Sequence, residues 1–235
     1  MLVAAAFLLL QEAAVFYTLD TWKNEEGAGS RRGDGKQPIA EGRMVMRVIP
    51  LDNESQLKQL EPRDAAEMFR LIDSNRAYLR QWLPWVDYNV SVEDTAGFIA
   101  MKMEQHNNNQ GTHYGIWHQG RLAGTLGVHR IDWFNKNTAL GYWLAAPFQG
   151  RGLMTKAVAV YMDRLVFGSW GLERLAIQAA TGNVRSRAIP ERLGFQLEGV
   201  LRHIEFLNGR FVDHAVYSML RSEWQARRKQ WAKWI

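Results

Sequence analysis

The sequence has no cysteine, only 6 prolines in 235 residues, and few long apolar runs. Without a thiol there is no disulfide framework, no thiolate zinc site, no iron–sulfur cluster and no cysteine nucleophile. A cysteine-free chain fits a reducing compartment, and the expected location is cytoplasmic. The apolar stretch Leu2 to Leu10 has nine residues, whereas a bilayer span needs roughly 20. It also lacks the basic flank and the small-residue cleavage site of a secretory signal. Twenty glycines and few prolines exclude a collagen-like chain, and 47% hydrophobic residues exclude a disordered one.

Neither sign of charge is scarce. The chain carries 29 Lys+Arg and 24 Asp+Glu, a formal balance of +5 with a pI near 9.6. Residues 1–43 balance at −1, residues 44–220 at +2 and residues 221–235 at +4. The basic pI is therefore largely a property of the tail, and it says little about any active site.

These shifts divide the chain. Residues 1–43 join the apolar run to a polar, Gly-rich stretch, Thr21 to Lys36. They read as an N-terminal extension, poorly ordered or the product of an early start, with the working protein beginning near Met44 or Met46. Residues 44–220 carry regular patterning and read as one domain. Residues 221–235 contain Trp224, Trp231 and Trp234 among basic residues. They read as a tail helix that lays its tryptophans on the domain or a neighbouring subunit rather than on nucleic acid or a membrane.

Within the domain, Met44 to Pro50 reads as a strand and Pro62 opens a helical stretch. Ser91 and Asp94 have capping-box spacing before a helix over Phe98 to Gln105. Strands follow at His113–Trp117, Leu122–Ile131 and Thr138–Leu144. A helix from Leu153 ends at Gly168, Leu175–Ala179 is a strand, and Val184–Leu193 is a short helix containing Pro190, where a kink is expected. Val200–Leu207 and Phe211–Leu220 flank Asn208-Gly209, a strong hairpin signal. This order makes a mixed α/β domain.

The informative segment is Tyr142 to Thr155, in which a strand ends, Gln149-Gly150-Arg151-Gly152 turns, and a helix starts. The first amides of a helix have no internal partner and carry partial positive charge, and glycines let a phosphate approach them. An anion site is expected here, with Arg151 adding charge. The loop lacks the Lys-Ser/Thr pair of a Walker loop, and Thr155 replaces the third glycine of a dinucleotide fingerprint.

Gln149-x-x-Gly152 after Gly-Tyr-Trp-Leu resembles the acetyl-CoA signature of the GCN5-related N-acetyltransferase (GNAT) superfamily. Asn183-x-x-Ser186 followed by Gly194-Phe195 is similar to that fold's second motif. Glu205-Phe206-Leu207-Asn208-Gly209 further resembles the RimL-type branch, which acetylates the N-terminal serine of a ribosomal protein. The resemblance covers about Met44 to Leu220. It implies an α/β fold with a mixed, mostly antiparallel sheet of about seven strands flanked by about four helices.

The same resemblance implies roles residue by residue. Acetyl-CoA would be the donor, with no metal. The amides of Gln149, Gly150, Arg151, Gly152, Leu153, Met154 and Thr155 would hold the pyrophosphate, and the strand ending at Trp143 and Leu144 would hold the pantetheine arm. Asn183 would touch the cofactor, Glu205 would be the general base and Ser186 the general acid. Trp82 and Trp85 would wall the acceptor site. Met154 departs from the pattern, which usually has Gly or Ala there. Residue type alone leaves each a structural alternative: Glu205 as a solvent-facing strand carboxylate, Ser186 as a helix cap, the tryptophans as core. The six histidines show no metal-ligand spacing and read as structural. His203, two residues before Glu205, would share its strand face.

An amine attacks a thioester only when neutral. An α-amino group of pKa about 7.7–8.0 is partly neutral near pH 7, while a lysine near 10.4 is not. A single carboxylate can finish the deprotonation, and with no cysteine direct attack in a ternary complex is expected. The expected acceptor is a primary amine, most simply a ribosomal-protein N-terminus. A small amine or polyamine, and a CoA-binding module without catalysis, stay open. So does the oligomeric state, a homodimer included. No nucleic-acid or membrane partner is expected.

Overall fold

The structure is a computed structural model that describes residues 46–232 and 235. The expectations for residues 1–43 and for the start at Met44 lie outside the described residues. Eight strands form one sheet in the order β1-β2-β3-β4-β5-β6-β8-β7. They are β1 Val48–Pro50, β2 Ser55–Gln59, β3 His113–His118, β4 Arg121–Asp132, β5 Asn137–Leu144, β6 Arg174–Ala180, β7 Gln196–Leu207 and β8 Arg210–Leu220. All neighbours are antiparallel except β5 and β6. Six α-helices accompany them: α1 Ala65–Ser74, α2 Arg76–Leu79, α3 Val92–Asn107, α4 Leu153–Tyr161, α5 Val184–Leu193 and α6 Arg221–Arg227.

Local chemistry sets the element ends. The Ser91 hydroxyl accepts from the Asp94 amide at 3.1 Å while the Asp94 carboxylate accepts from the Ser91 amide at 3.0 Å. That box starts α3 at Val92, six residues before the expected Phe98. Past α4, the chain continues in wider π-helical turns over Met162–Ser169, so Gly168 does not end the helical path. Asn208 and Gly209 take φ of 51° and 81°, the left-handed pair a tight hairpin needs. The Asn208 side chain donates to the Arg80 carbonyl at 3.0 Å, tying the β7–β8 tip to the segment that carries Trp82 and Trp85.

The core runs the length of the sheet. Leu57, Ile116, Leu126, Val158, Leu165, Leu175 and Met219 are fully buried. Tyr161 packs edge-on against Tyr114 and Trp170. Trp224 of α6 is buried, and its indole donates to the Asp163 carboxylate at 3.0 Å. Among the described residues no helix is long and apolar enough to cross a membrane.

One departure from sheet regularity builds the site. β5 and β6 pair in parallel only from Asn137/Arg174 to Ala139/Ala176. Beyond that they diverge, β5 staying with β4 and β6 with β8. The wedge between them opens into two adjoining cavities.

Candidate active site

The first cavity, about 760 Å³, lies against the end of β5, the loop that follows and α5. Gly150 and Gly152 line it with φ of 77° and 74°. Gly152 is the N-cap of α4, so the left-handed turn presents the helix's first amides at the cavity wall. Gln149 braces the turn: its amide group donates to the Leu144 carbonyl at 2.7 Å and its carbonyl accepts from Arg185 at 3.0 Å. Leu144, Leu153, Met154 and Thr155 also line this cavity, and Met154 gives it an apolar side chain where the related pattern has Gly or Ala.

The charge at this cavity differs from the expectation. Arg151 is exposed and does not line it. Arg185 and Arg192 of α5 do, and Arg192 donates to the Thr155 hydroxyl at 2.8 Å. Spacing in the sequence did not flag them, because only the packing of α5 beside α4 brings them to the loop.

The second cavity, about 240 Å³, lies on the other side of the wedge. Trp82, Trp85, Tyr88 and Phe98 supply its aromatic wall, and β6 supplies Gln178, Ala179 and Ala180. Trp85 and Trp143 rings are tilted against each other at 6.3 Å. Glu205 lies in this cavity, and its carboxylate accepts from His214 Nε2 at 3.1 Å. Both side chains are only 17% exposed, so Glu205 is not a solvent-facing strand carboxylate.

Two expectations about histidines are corrected here. β7 bulges between Leu201 and Glu205, which breaks the two-residue alternation. His203 sits at φ 51° within that bulge, donates its amide to Asp213 and stacks its ring on Phe211 at 5.6 Å. It does not line the cavity beside Glu205; His214 of β8 takes that place. His113 and His129 line the cavity as well, so three of the histidines read as structural belong to the site. Burial pushes the His113 imidazole well below its ordinary value and keeps it neutral.

The two cavities share Trp82, Leu83, Tyr142, Trp143, Asn183 and Ser186. Asn183 is the N-cap of α5, accepting from the Ser186 amide at 3.2 Å. Ser186 is thus not the cap; its amide is the capped group and its hydroxyl lies 3.5 Å from the Tyr142 oxygen. Burial raises the Tyr142 phenol above its ordinary value, so it serves as a neutral hydrogen-bonding group. Among the described residues no group of three or more His, Asp or Glu side chains could hold a metal ion.

A glycine turn at a helix start, a split sheet and a carboxylate–imidazole pair thus lie along the two adjoining cavities. Residues 56–196 match the Acetyltransferase (GNAT) domain family, and the chain belongs to that family. The YdaF protein of Bacillus subtilis (strain 168) is 36% identical over 171 residues, covering 72% of this chain and 92% of that one. The microcin C7 self-immunity acetyltransferase MccE, solved with acetyl-CoA and AMP, superposes with a TM-score of 0.71 at 30% identity, covering 76% and 98%. RimL, the ribosomal L7/L12 α-N-protein acetyltransferase solved with coenzyme A, does so with 0.69 at 29%, covering 75% and 99%. This chain is an acetyl-CoA-dependent N-acetyltransferase of the RimL-type branch.

Proposed function

We propose that the protein moves the acetyl group of acetyl-CoA onto a protein N-terminal amine of the ribosomal-protein type, by direct attack in a ternary complex. The observation that carries this reading is the pair of cavities meeting at Tyr142, Trp143, Asn183 and Ser186. A donor seated along the glycine turn would bring its thioester to that junction. An amine in the aromatic cavity would meet it from the other side, beside the Glu205–His214 pair.

The chemistry divides between the two walls. The amine nitrogen forms the new bond to the thioester carbonyl carbon as the carbon–sulfur pair leaves with sulfur. The Glu205–His214 pair takes the proton that nitrogen sheds. The departing thiolate, related to a thiol of pKa ~8.5, needs only a hydrogen bond or proton, which Ser186 would provide. The acceptor cavity favours a chain end: at about 240 Å³ it takes terminal residues and excludes a folded surface.

A second reading keeps the chemistry and makes the acceptor a small amine or polyamine. It is favoured by the same modest volume and by two carboxylates, Asp94 and Glu205, in the cavity wall. Initial rates against unblocked N-terminal peptides, purified ribosomal proteins and polyamines, read by mass spectrometry, separate the two. The proposal expects kcat/KM at least about tenfold higher for the N-terminal acceptors, with acetylation at the α-amine. A preference for polyamines would overturn it, and tight acetyl-CoA binding with no transfer at all would leave a non-catalytic module.

A further inference from the structure

We infer that His214 is the proton acceptor of this reaction and that Glu205 is the carboxylate that orients it. The assignment rests on the acetyl-transfer reading above and reverses the role that resemblance gives Glu205. It starts from the geometry of the pair. A carboxylate only accepts, so the 3.1 Å contact between His214 Nε2 and Glu205 Oε2 places the imidazole proton on Nε2. Nδ1 then keeps its lone pair, and the His214 imidazole makes no other hydrogen bond among the described residues. An imidazole held through one nitrogen by a carboxylate, in the wall of a cavity, is the arrangement in which the other nitrogen collects a proton.

The backbone supports the same division of roles. His214 lies in the regular part of β8, paired with Ala180 on one side and Leu201 on the other. Glu205 follows the β7 bulge, and that extra length lets it reach diagonally to His214 although its cross-strand neighbour is Val212. The imidazole is held by two strands and the carboxylate is swung onto it.

Proton affinity points the same way. Between the two members of the pair, an imidazole is intrinsically the stronger base and a carboxylate the weaker one. A base nearer the operating pH is the more effective one. The other titratable groups lining this cavity are Tyr88 from the segment before α3, Tyr142 from β5, Asp94 and Lys102 from α3, His113 from β3 and His129 from β4. β6 contributes Gln178, Ala179 and Ala180, which carry no charge.

The neutral amine's lone pair attacks the carbonyl carbon, and the carbon–sulfur bond breaks with its pair on sulfur. The nitrogen's proton goes to His214 Nδ1, and the thiolate takes a proton delivered through Ser186 from solvent. The imidazolium, stabilised by Glu205, returns its proton to solvent.

The test is the pH dependence of kcat/KM for wild type, His214→Gln and Glu205→Gln, with an N-terminal peptide acceptor and acetyl-CoA binding followed by calorimetry. Protonation of the amine alone gives one unit of slope in log(kcat/KM) below about pH 8. A base that must be neutral and that is an imidazole adds a second unit on the acidic side of that range. The assignment expects that second unit in wild type and in Glu205→Gln, which loses roughly tenfold in rate. His214→Gln should keep one unit only and lose roughly 100-fold or more. A wild-type slope of one down to pH 5, or a His214→Gln enzyme within about threefold of wild type, overturns it and returns the base role to Glu205. If His214→Gln does not bind acetyl-CoA, the wild-type and Glu205→Gln profiles decide by the same criterion. Failure of wild type to acetylate any amine overturns the proposed function, and this assignment with it.

Discussion

The Tyr142 hydroxyl donates to the backbone carbonyl of Ser186 at 3.1 Å, across the line where the two cavities meet. In an uninterrupted helix that carbonyl would accept from the amide four residues on, which here belongs to Pro190 and does not exist. The proline inside α5 therefore leaves a carbonyl unclaimed, and a strand tyrosine claims it. The result fixes the first turn of α5, with Asn183 and Ser186, against the end of β5. Tyr142→Phe should remove about 1–2 kcal/mol of stability, since a buried carbonyl loses its donor. It should also lower kcat more than it raises the KM for acetyl-CoA. Urea unfolding alongside steady-state rates checks both, and an unchanged kcat would detach Tyr142 from the catalytic junction.

Gly150 has open space where a Cβ would stand, so an alanine there meets only the cost of its positive φ. That cost is about 1–2 kcal/mol, and the turn relieves it by moving the amides proposed to hold the donor. Gly150→Ala and Gly152→Ala should each weaken acetyl-CoA binding by roughly tenfold, measured by calorimetry, with smaller effects on the KM of the amine. Unchanged affinity in both would mean that the loop does not hold the pyrophosphate.

Arg185 and Arg192 line the cavity at the glycine turn, where the donor is proposed to bind, and Arg151 does not. Arg192→Met should reduce acetyl-CoA affinity by about fivefold or more and flatten its dependence on salt, while Arg151→Met should do neither. Titrations at low and high ionic strength make the comparison. Equal losses for the two variants would contradict this placement.

Asp163 links α6 to the core. Trp224 donates to its Oδ1 at 3.0 Å, and Arg228 donates to Oδ1 at 2.6 Å and to Oδ2 at 3.0 Å. Burial works against its ionisation, but the hydrogen bonds from Arg228 and Trp224 and the guanidinium charge outweigh it and hold the carboxyl below its ordinary value. With a folded value below the unfolded one near 3.9, the stability it contributes is fully present above about pH 5 and is lost as pH falls through the folded value. Asp163→Asn should cost about 1–2 kcal/mol at pH 7, and the gap from wild type should shrink towards pH 3. Urea curves at both pH values test this, and an equal gap at both would contradict it.

What the sequence disclosed depended on whether local chemistry or tertiary packing set the feature. Gln149 to Gly152 could be read because a strand end, two glycines and a helix start are adjacent in sequence, and Asn208-Gly209 because a hairpin needs its own turn residues. β2 was not read: Ser-Gln-Leu-Lys-Gln is mostly polar, and only Ser55 and Leu57 are buried in it. The expected start of β7 at Val200 came four residues late because the segment before it lies on the sheet edge with exposed side chains and shows no alternation. His214 escaped notice for a related reason. Strand alternation pairs Glu205 with His203, and only the bulge, invisible in the pattern, hands the carboxylate to the neighbouring strand.

In the proposed reaction donor and acceptor occupy their two cavities together, and the acetyl group passes directly between them at Tyr142, Trp143, Asn183 and Ser186. Initial rates measured over a grid of acetyl-CoA and N-terminal peptide concentrations test it most directly. Double-reciprocal lines should intersect, the pattern of a ternary complex. Parallel lines, the signature of an acetylated enzyme, would contradict it.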